Sequence, residues 1–159
     1  MKAVYGLSAT AMELDGELLF GAPSNGKVID MATILNPTLS EPTVESDHQT
    51  LRFTVTYTVL FGPDEVNRDF DDAAKIWEDD SGEIFGGGDD QITAYPIPER
   101  FRASDRVVDR EKIIFATRDA ANTEAGGEEF KAQIWLRRTG SNGPADAEVF
   151  TPTRPSINP

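Results

Sequence analysis

The chain has 159 residues, a formal net charge of −13, a single histidine and no cysteine. One domain of this length buries a full core without a disulfide or a structural metal. The missing cysteines exclude thiol catalysis, iron–sulfur ligation, thiolate zinc sites and a disulfide framework, and they fit a reducing compartment. The acidic balance opposes nucleic acid and anionic membrane surfaces as partners, because phosphate recognition needs a basic face.

Residues 1–12, MKAVYGLSATAM, carry an A-x-A pattern at 9–11. The stretch before it is too short for a charged region followed by a full apolar one, so no signal peptide is read. No apolar run approaches the ~20 residues that cross a bilayer, so no membrane insertion is expected. The expected location is the cytoplasm or an assembled particle.

Residues 11–20 hold Asp15–Gly16 between AMEL and ELLF, a hairpin signal. Residues 27–35 read as a strand stopped by Asn36–Pro37, and residues 36–48 as a crossing loop. His48 closes that polar loop. A Ser–His–Asp triad would have to be built around it, and a solvated loop histidine is the simpler reading.

Residues 49–61, QTLRFTVTYTVLF, place Leu51, Phe53, Val55, Tyr57, Val59 and Phe61 on alternate positions. This is a strand with one buried face. Residues 67–78, NRDFDDAAKIWE, fit a helix capped by Asn67 or a strand. The β context favours a strand over 73–78. Residues 91–97, QITAYPI, read as an edge strand because of Pro96 and Pro98.

Residues 107–117, VVDREKIIFAT, form a third long strand with Val107, Ile113 and Phe115 on one face, and Asp109 and Glu111 nearer the end of the sheet. Residues 118–129 leave room for one helical turn closed by Gly126–Gly127. Residues 130–138, FKAQIWLRR, alternate Phe130, Ala132, Ile134 and Leu136 with Lys131, Gln133, Trp135 and Arg137. Residues 147–151 suit a last strand. The expected fold is all-β: a single antiparallel β-sandwich, Ig-like or C2-like, of six to eight strands with at most one short helix. It occupies residues 1–150, and a Pro-rich tail follows at 151–159.

The negative charge is concentrated. Residues 64–90 hold eleven acids against Arg68 and Lys75, net −9. Residues 1–63 are net −4, and residues 91–159 are neutral. Solvent adaptation spreads acids over a surface, so it does not account for this clustering. Solvated loops, a cation site or a basic partner remain as explanations.

Within the segment, Gly86, Gly88, Asp90 and Ile92 fall where the calcium-binding nonapeptide G-G-x-G-x-D-x-U-x has its fixed residues. The stretch resembles one unit of that repeat, with Phe85 in place of the first glycine. The repeat binds metal between stacked turns, so a single copy does not make this chain a member of that family. No EF-hand spacing is present. A C2-type arrangement, in which aspartates from neighbouring loops converge on Ca²⁺, would use Asp79, Asp80, Asp89 and Asp90, joined by Asp64 or Asp69.

No phosphate loop, nucleophile elbow or dinucleotide fingerprint occurs. Paired carboxylates suit sugar hydrolysis only inside an aromatic groove. Trp77 and Trp135 sit on separate strands and read as core or edge packing, or as a carbohydrate contact if exposed. Arg100, Arg102, Arg106 and Arg110, followed by Arg118, form a basic series after the acidic segment. Acidic end and arginine face would complement each other between copies. The sequence thus points away from an enzyme and towards a structural or interaction module, a subunit or decoration of a larger assembly. Its partner would be a protein, a second copy included. No cofactor is required; Ca²⁺-dependent or carbohydrate binding are the alternatives.

Overall fold

A computed structural model describes residues 31–79, 89–93, 96–121 and 129–155. Nine strand segments follow in chain order: β1 (Thr33–Leu39), β2 (Thr43–Val44), β3 (Thr50–Leu60), β4 (Asp69–Glu78), β5 (Glu99–Arg102), β6 (Val107–Thr117), β7 (Glu129–Arg138), β8 (Ala147–Phe150) and β9 (Arg154–Pro155). All pairings are antiparallel. Among the described residues there is no α-helix, only 3-10 turns at Pro63–Glu65 and Asp119–Ala121. The fold is an all-β sandwich of two sheets.

In the first sheet β3 is central. It pairs with β1 and β2 on one side and with β6 on the other. The second sheet runs β5-β4-β7-β8, and β9 continues the β8 line along β7. The alternation of β3 becomes burial: Leu51, Phe53, Val55, Tyr57 and Val59, with Phe61 just after the strand, all point inward. Phe130, Ala132, Ile134 and Leu136 of β7 meet them from the other sheet. The sheets are pinned by aromatic contacts at both ends. Phe53 meets Phe130 edge-on at 5.3 Å. Phe61 meets Phe70 at 4.8 Å, with Phe101 beside both.

The strand favoured over 73–78 is present and begins earlier, at Asp69, because Phe70, Ala74 and Ile76 share the inner face with period two. Other expectations shift. Residues 36–48 are not one crossing loop. β1 continues through Asn36 and Pro37 to Leu39 by a bulge, with Asn36 at φ 49. The extra residue lets Ile34 and Leu39, an odd number apart, both face the core. Residues 91–97 form no strand among the described positions. Gln91 makes one bridge to Trp77, and the strand itself begins at Glu99, after the prolines that lack an N–H.

The face of β6 carrying Val107, Ile113 and Phe115 is the outer one; Val108, Arg110, Lys112, Ile114 and Ala116 turn inward. In the tail, Thr151 is buried and Arg154 and Pro155 pair with β7. The helical turn of the 118–129 stretch is the 3-10 turn at Asp119–Ala121. The hairpin read at 11–20, the start of the strand read at 27–35, and Gly126–Gly127 lie outside the described residues.

Phe53→Ala should cost ~3–5 kcal/mol, as truncation of a fully enclosed aromatic does. Arg52→Ala, on the outer face of the same strand, should stay within about 0.5 kcal/mol. Urea unfolding of both variants checks the facing of β3, and equal losses would refute it.

Candidate functional site

The inner face of β4 should be apolar, yet Asp72 stands on it with no solvent exposure. A buried carboxylate survives only if its acceptors are filled. Four donor contacts fill them. Tyr57 of β3 donates its hydroxyl to Oδ2 at 2.5 Å. Arg110 of β6 donates Nε to Oδ2 at 2.8 Å and Nη2 to Oδ1 at 3.2 Å. Lys112 of β6 pairs with Oδ1.

Glu99 of β5 closes the group at the surface, accepting from Arg110 at 3.1 Å and pairing with Lys112. Arg110 also lies over the Phe101 ring at 4.2 Å. Two acids and two bases balance, so the group is neutral as a whole. Burial first, and then the Asp72 carboxylate, push the Tyr57 hydroxyl far above its ordinary value. For Arg110, burial alone would lower the pKa, but the hydrogen bonds and charge of Asp72 outweigh it and raise it. Both oxygens of Asp72 are saturated, and no open position is left for a reacting atom.

The acidic end is built the same way. Asp79, buried, takes Lys131 Nζ at 3.0 Å and the Thr153 hydroxyl. Asp89 takes the same Lys131 at 2.6 Å. Thus Asp79 and Asp89 do converge, on an ammonium that the chain supplies. Burial alone would lower the Lys131 pKa; its hydrogen bonds to Asp89 and Asp79 raise it instead. Asp90 is exposed and contributes its carbonyl to the Glu78 amide. Asp80 and Gly86–Gly88 lie outside the described residues. Asp64 and Asp69 are exposed at the opposite end of β4, with Asp69 3.9 Å from Arg102. Among the described residues, no three acids or histidines are placed to hold a metal ion. Nine of the eleven acids in 64–90 are described, and Glu65, Asp72, Glu78 and Asp79 are buried, so the segment is not simply a solvated loop.

The arginine series is largely used inside the molecule. Arg100 pairs with Asp71 at 3.3 Å, and Arg102 donates to the Asn67 carbonyl at 3.0 and 3.2 Å. Arg110 belongs to the Asp72 group, and Arg118 reaches the His48 carbonyl. Arg106 is exposed just before β6. His48 is exposed in the β2–β3 turn at φ 57. Trp77 and Trp135 lie half-buried on the outer face of the second sheet, not in the core. Each already carries a cation, Lys75 at 4.3 Å and Arg137 at 5.6 Å.

What remains unusual is the side of β6 away from β3, which has no partner strand among the described residues. Ile113 and Phe115 are 45% and 57% exposed on its outer face, and Ile97 nearby is 92% exposed. An open groove of about 820 Å³ follows this edge, lined by Ala73, Ala74, Pro96–Pro98 and residues 111–115. Sequence reading missed it because an apolar trio on a strand reads as core. The available signal was parity: Arg110 and Lys112 share a face with Val108 and Ile114, while Asp72 shares one with Phe70 and Ile76.

The raised Tyr57 pKa gives a pH signature. The unfolded phenol ionises near pH 10 while the folded one holds its proton, so its stabilisation is full below about pH 10 and declines progressively as pH rises above it. Tyr57→Phe should lose ~1.5–3 kcal/mol at pH 7, the worth of a hydrogen bond to a charged group. The gap from the native protein should close as pH rises past 10. Urea unfolding at pH 7, 9 and 10.5 measures this, and a constant gap would count against it. At the other end, Lys131→Met should cost about 1–3 kcal/mol by leaving Asp79 and Asp89 without their ammonium. Since Lys131 supplies the cation, Ca²⁺ should leave the Tm of the native protein unchanged in a calorimetric scan. A calcium-dependent rise would revive the metal reading.

Compared with models of known protein families and with curated proteins, the chain matches none.

Proposed function

We propose that this chain is a non-catalytic β-sandwich that acts by holding a protein partner, as a subunit or decoration of a larger assembly. The carrying observation is a contrast. Groups able to do chemistry, Asp72, Tyr57, Arg110, Lys112, Asp79 and Lys131, are committed to one another inside the fold. The groove of about 820 Å³ is instead bordered by uncommitted apolar side chains, Ile97, Ile113 and Phe115.

Contiguous apolar surface beside an open strand suits a protein partner. The net charge of −13 disfavours nucleic acid and anionic lipid as occupants. A hydrolase would need two uncommitted acids facing a cavity; of the two acids lining this groove, Glu99 and Glu111, Glu99 is paired with Arg110 and Lys112.

Size fractionation of a gentle lysate from cells that naturally make the chain tests this reading. The chain should elute in a species far heavier than its own 17.4 kDa. Recovery entirely at the free monomer position would overturn the reading.

A further inference from the structure

In the second sheet the edge strands β5 and β8 have only four residues each, and the stretches of β4 and β7 beyond them are capped. Beyond β5, the Ile76 amide donates to Thr93 Oγ1 at 3.0 Å, and the Ile76 carbonyl accepts from the Ile92 amide. Beyond β8, the Ala132 amide donates to Thr151 Oγ1 at 2.9 Å, and β9 takes up the pairing. In the first sheet, β1 is interrupted by its bulge and Pro37, and β2 has only two residues. These are the ordinary ways in which a protein blunts a strand edge.

β6 has none of them among the described residues. It runs eleven residues in unbroken register with β3, without proline or bulge. The direction of its free groups follows from two bonds. The Arg118 amide donates to the Gln49 carbonyl and the Phe61 amide to the Arg106 carbonyl, both at 2.8 Å. Even-numbered residues therefore bond β3, and by antiparallel alternation Val107, Asp109, Glu111, Ile113, Phe115 and Thr117 aim their N–H and C=O groups away from it.

The two halves of this edge differ. The first half carries Asp109 and Glu111 outward and Arg110 and Lys112 inward, charges that discourage pairing. The second half, Ile113 to Thr117, carries no charge. We infer that this half pairs with the same strand of a second copy, antiparallel, about a two-fold axis at Ile114.

Cross-strand chemistry selects the axis, since centring on Ile113 opposes no like charges either but sets each Glu111 against a Phe115 on the outer face. Centred on Ile114, each Ile113 faces the second copy's Phe115, each Glu111 faces Thr117, Lys112 faces Ala116 and Ile114 meets itself. Seven residues pair without like charges opposed, and the bonded pairs are those whose groups are free. Centring on Lys112 sets two ammonium groups side by side. Centring on Phe115 sets Lys112 against Arg118 and shortens the pairing. A like-charge pair is destabilising in a sheet, whereas apolar cross-strand pairs stabilise it. The small Ala73 and Ala74 beneath the groove leave room for the incoming strand. This inference rests on the interaction reading above and names its partner.

The chain has no cysteine, so single cysteines report register directly. In the proposed pairing Glu111→Cys lies opposite Thr117→Cys of the other copy, within disulfide reach. Two Glu111→Cys residues lie six positions apart along the strands, ~20 Å, which is out of reach. Oxidising the mixture should give the mixed dimer, and either variant alone should not. Sedimentation should show the native chain dimerising with concentration, and Phe115→Glu, at an exposed position, should stay folded and monomeric.

A native monomer up to roughly millimolar concentration would overturn the pairing. So would protection of the free-side amides of β6 in a monomer, which would give the edge to the chain's own residues. Cross-linking of either variant with itself, or a dimer indifferent to Phe115→Glu, would also overturn it. A chain that is monomeric alone but heavy in its cells removes this pairing and leaves the assembly reading standing. A chain that dimerises in the stated register but is free of any larger species in its cells supports the pairing and removes the assembly reading.

Discussion

The carboxylate of Asp72 is the constraint on which the arrangement of the two sheets depends. It has no contact with water, so ionising it in the fold demands donors from every direction. They come from β3 and β6 of the opposite sheet, while Glu99 of β5 balances the bases from its own sheet. Buried ionic groups of this kind add little net stability over an apolar core, because desolvation offsets attraction. Their effect here is on choice. Sliding β6 by one residue would turn Asp109 and Glu111 inward, towards Asp72. The penalty would be several unpaired buried charges at ~3–5 kcal/mol each, comparable to the ~5–15 kcal/mol of a whole domain's stability.

That choice has a consequence on the outside. With the parity of β6 fixed by Arg110 and Lys112, Ile113 and Phe115 have nowhere to go but the outer face. The apolar surface at this edge is thus the far side of the charge group, not an independent accident of composition. The same economy operates at the other end. Lys131 gathers Asp79 and Asp89, and Thr153 completes Asp79 from the segment that leads into β9. Acids that look like a cation site along the chain serve there to tie the C-terminal segment to β7.

The sequence made the two-sheet architecture legible where one face of a strand is wholly apolar and the other wholly polar. β3 and β7 satisfy that condition, and their faces read correctly. β6 does not. Its outer face mixes Val107, Ile113 and Phe115 with two acids, and its inner face mixes Val108 and Ile114 with two bases, so hydrophobicity alone leaves the faces undecided. Only the partner strand decides, through Asp72, and a partner is a tertiary fact. Local chemistry misled elsewhere for related reasons. Pro37 reads as a strand breaker but is tolerated at a bulge, where the ladder is already interrupted. Residues 91–93 read as a strand but supply a Thr93 hydroxyl in place of a ladder. The prolines of the tail do not prevent Arg154 and Pro155 from lying along β7, because an edge segment needs few of its own N–H groups.

The distribution of edge protection carries the remaining weight. A sandwich that leaves strand edges bare invites indiscriminate association, and this one answers at β1, β2, β4 and β7 by bulge, brevity, threonine caps and added segments. On β6 the answer stops halfway, at Lys112. Had solubility been the sole requirement, a single charge at Ile113 or Phe115 would have finished it at no expense to the core, since both side chains stand outside. Among the described residues the uncharged half-strand is thus the exception to that edge protection, which is what the proposed pairing would explain. In the proposed register the next pair outward would set Arg110 against Arg118 of the second copy, so the pairing would end at residues 111 and 117.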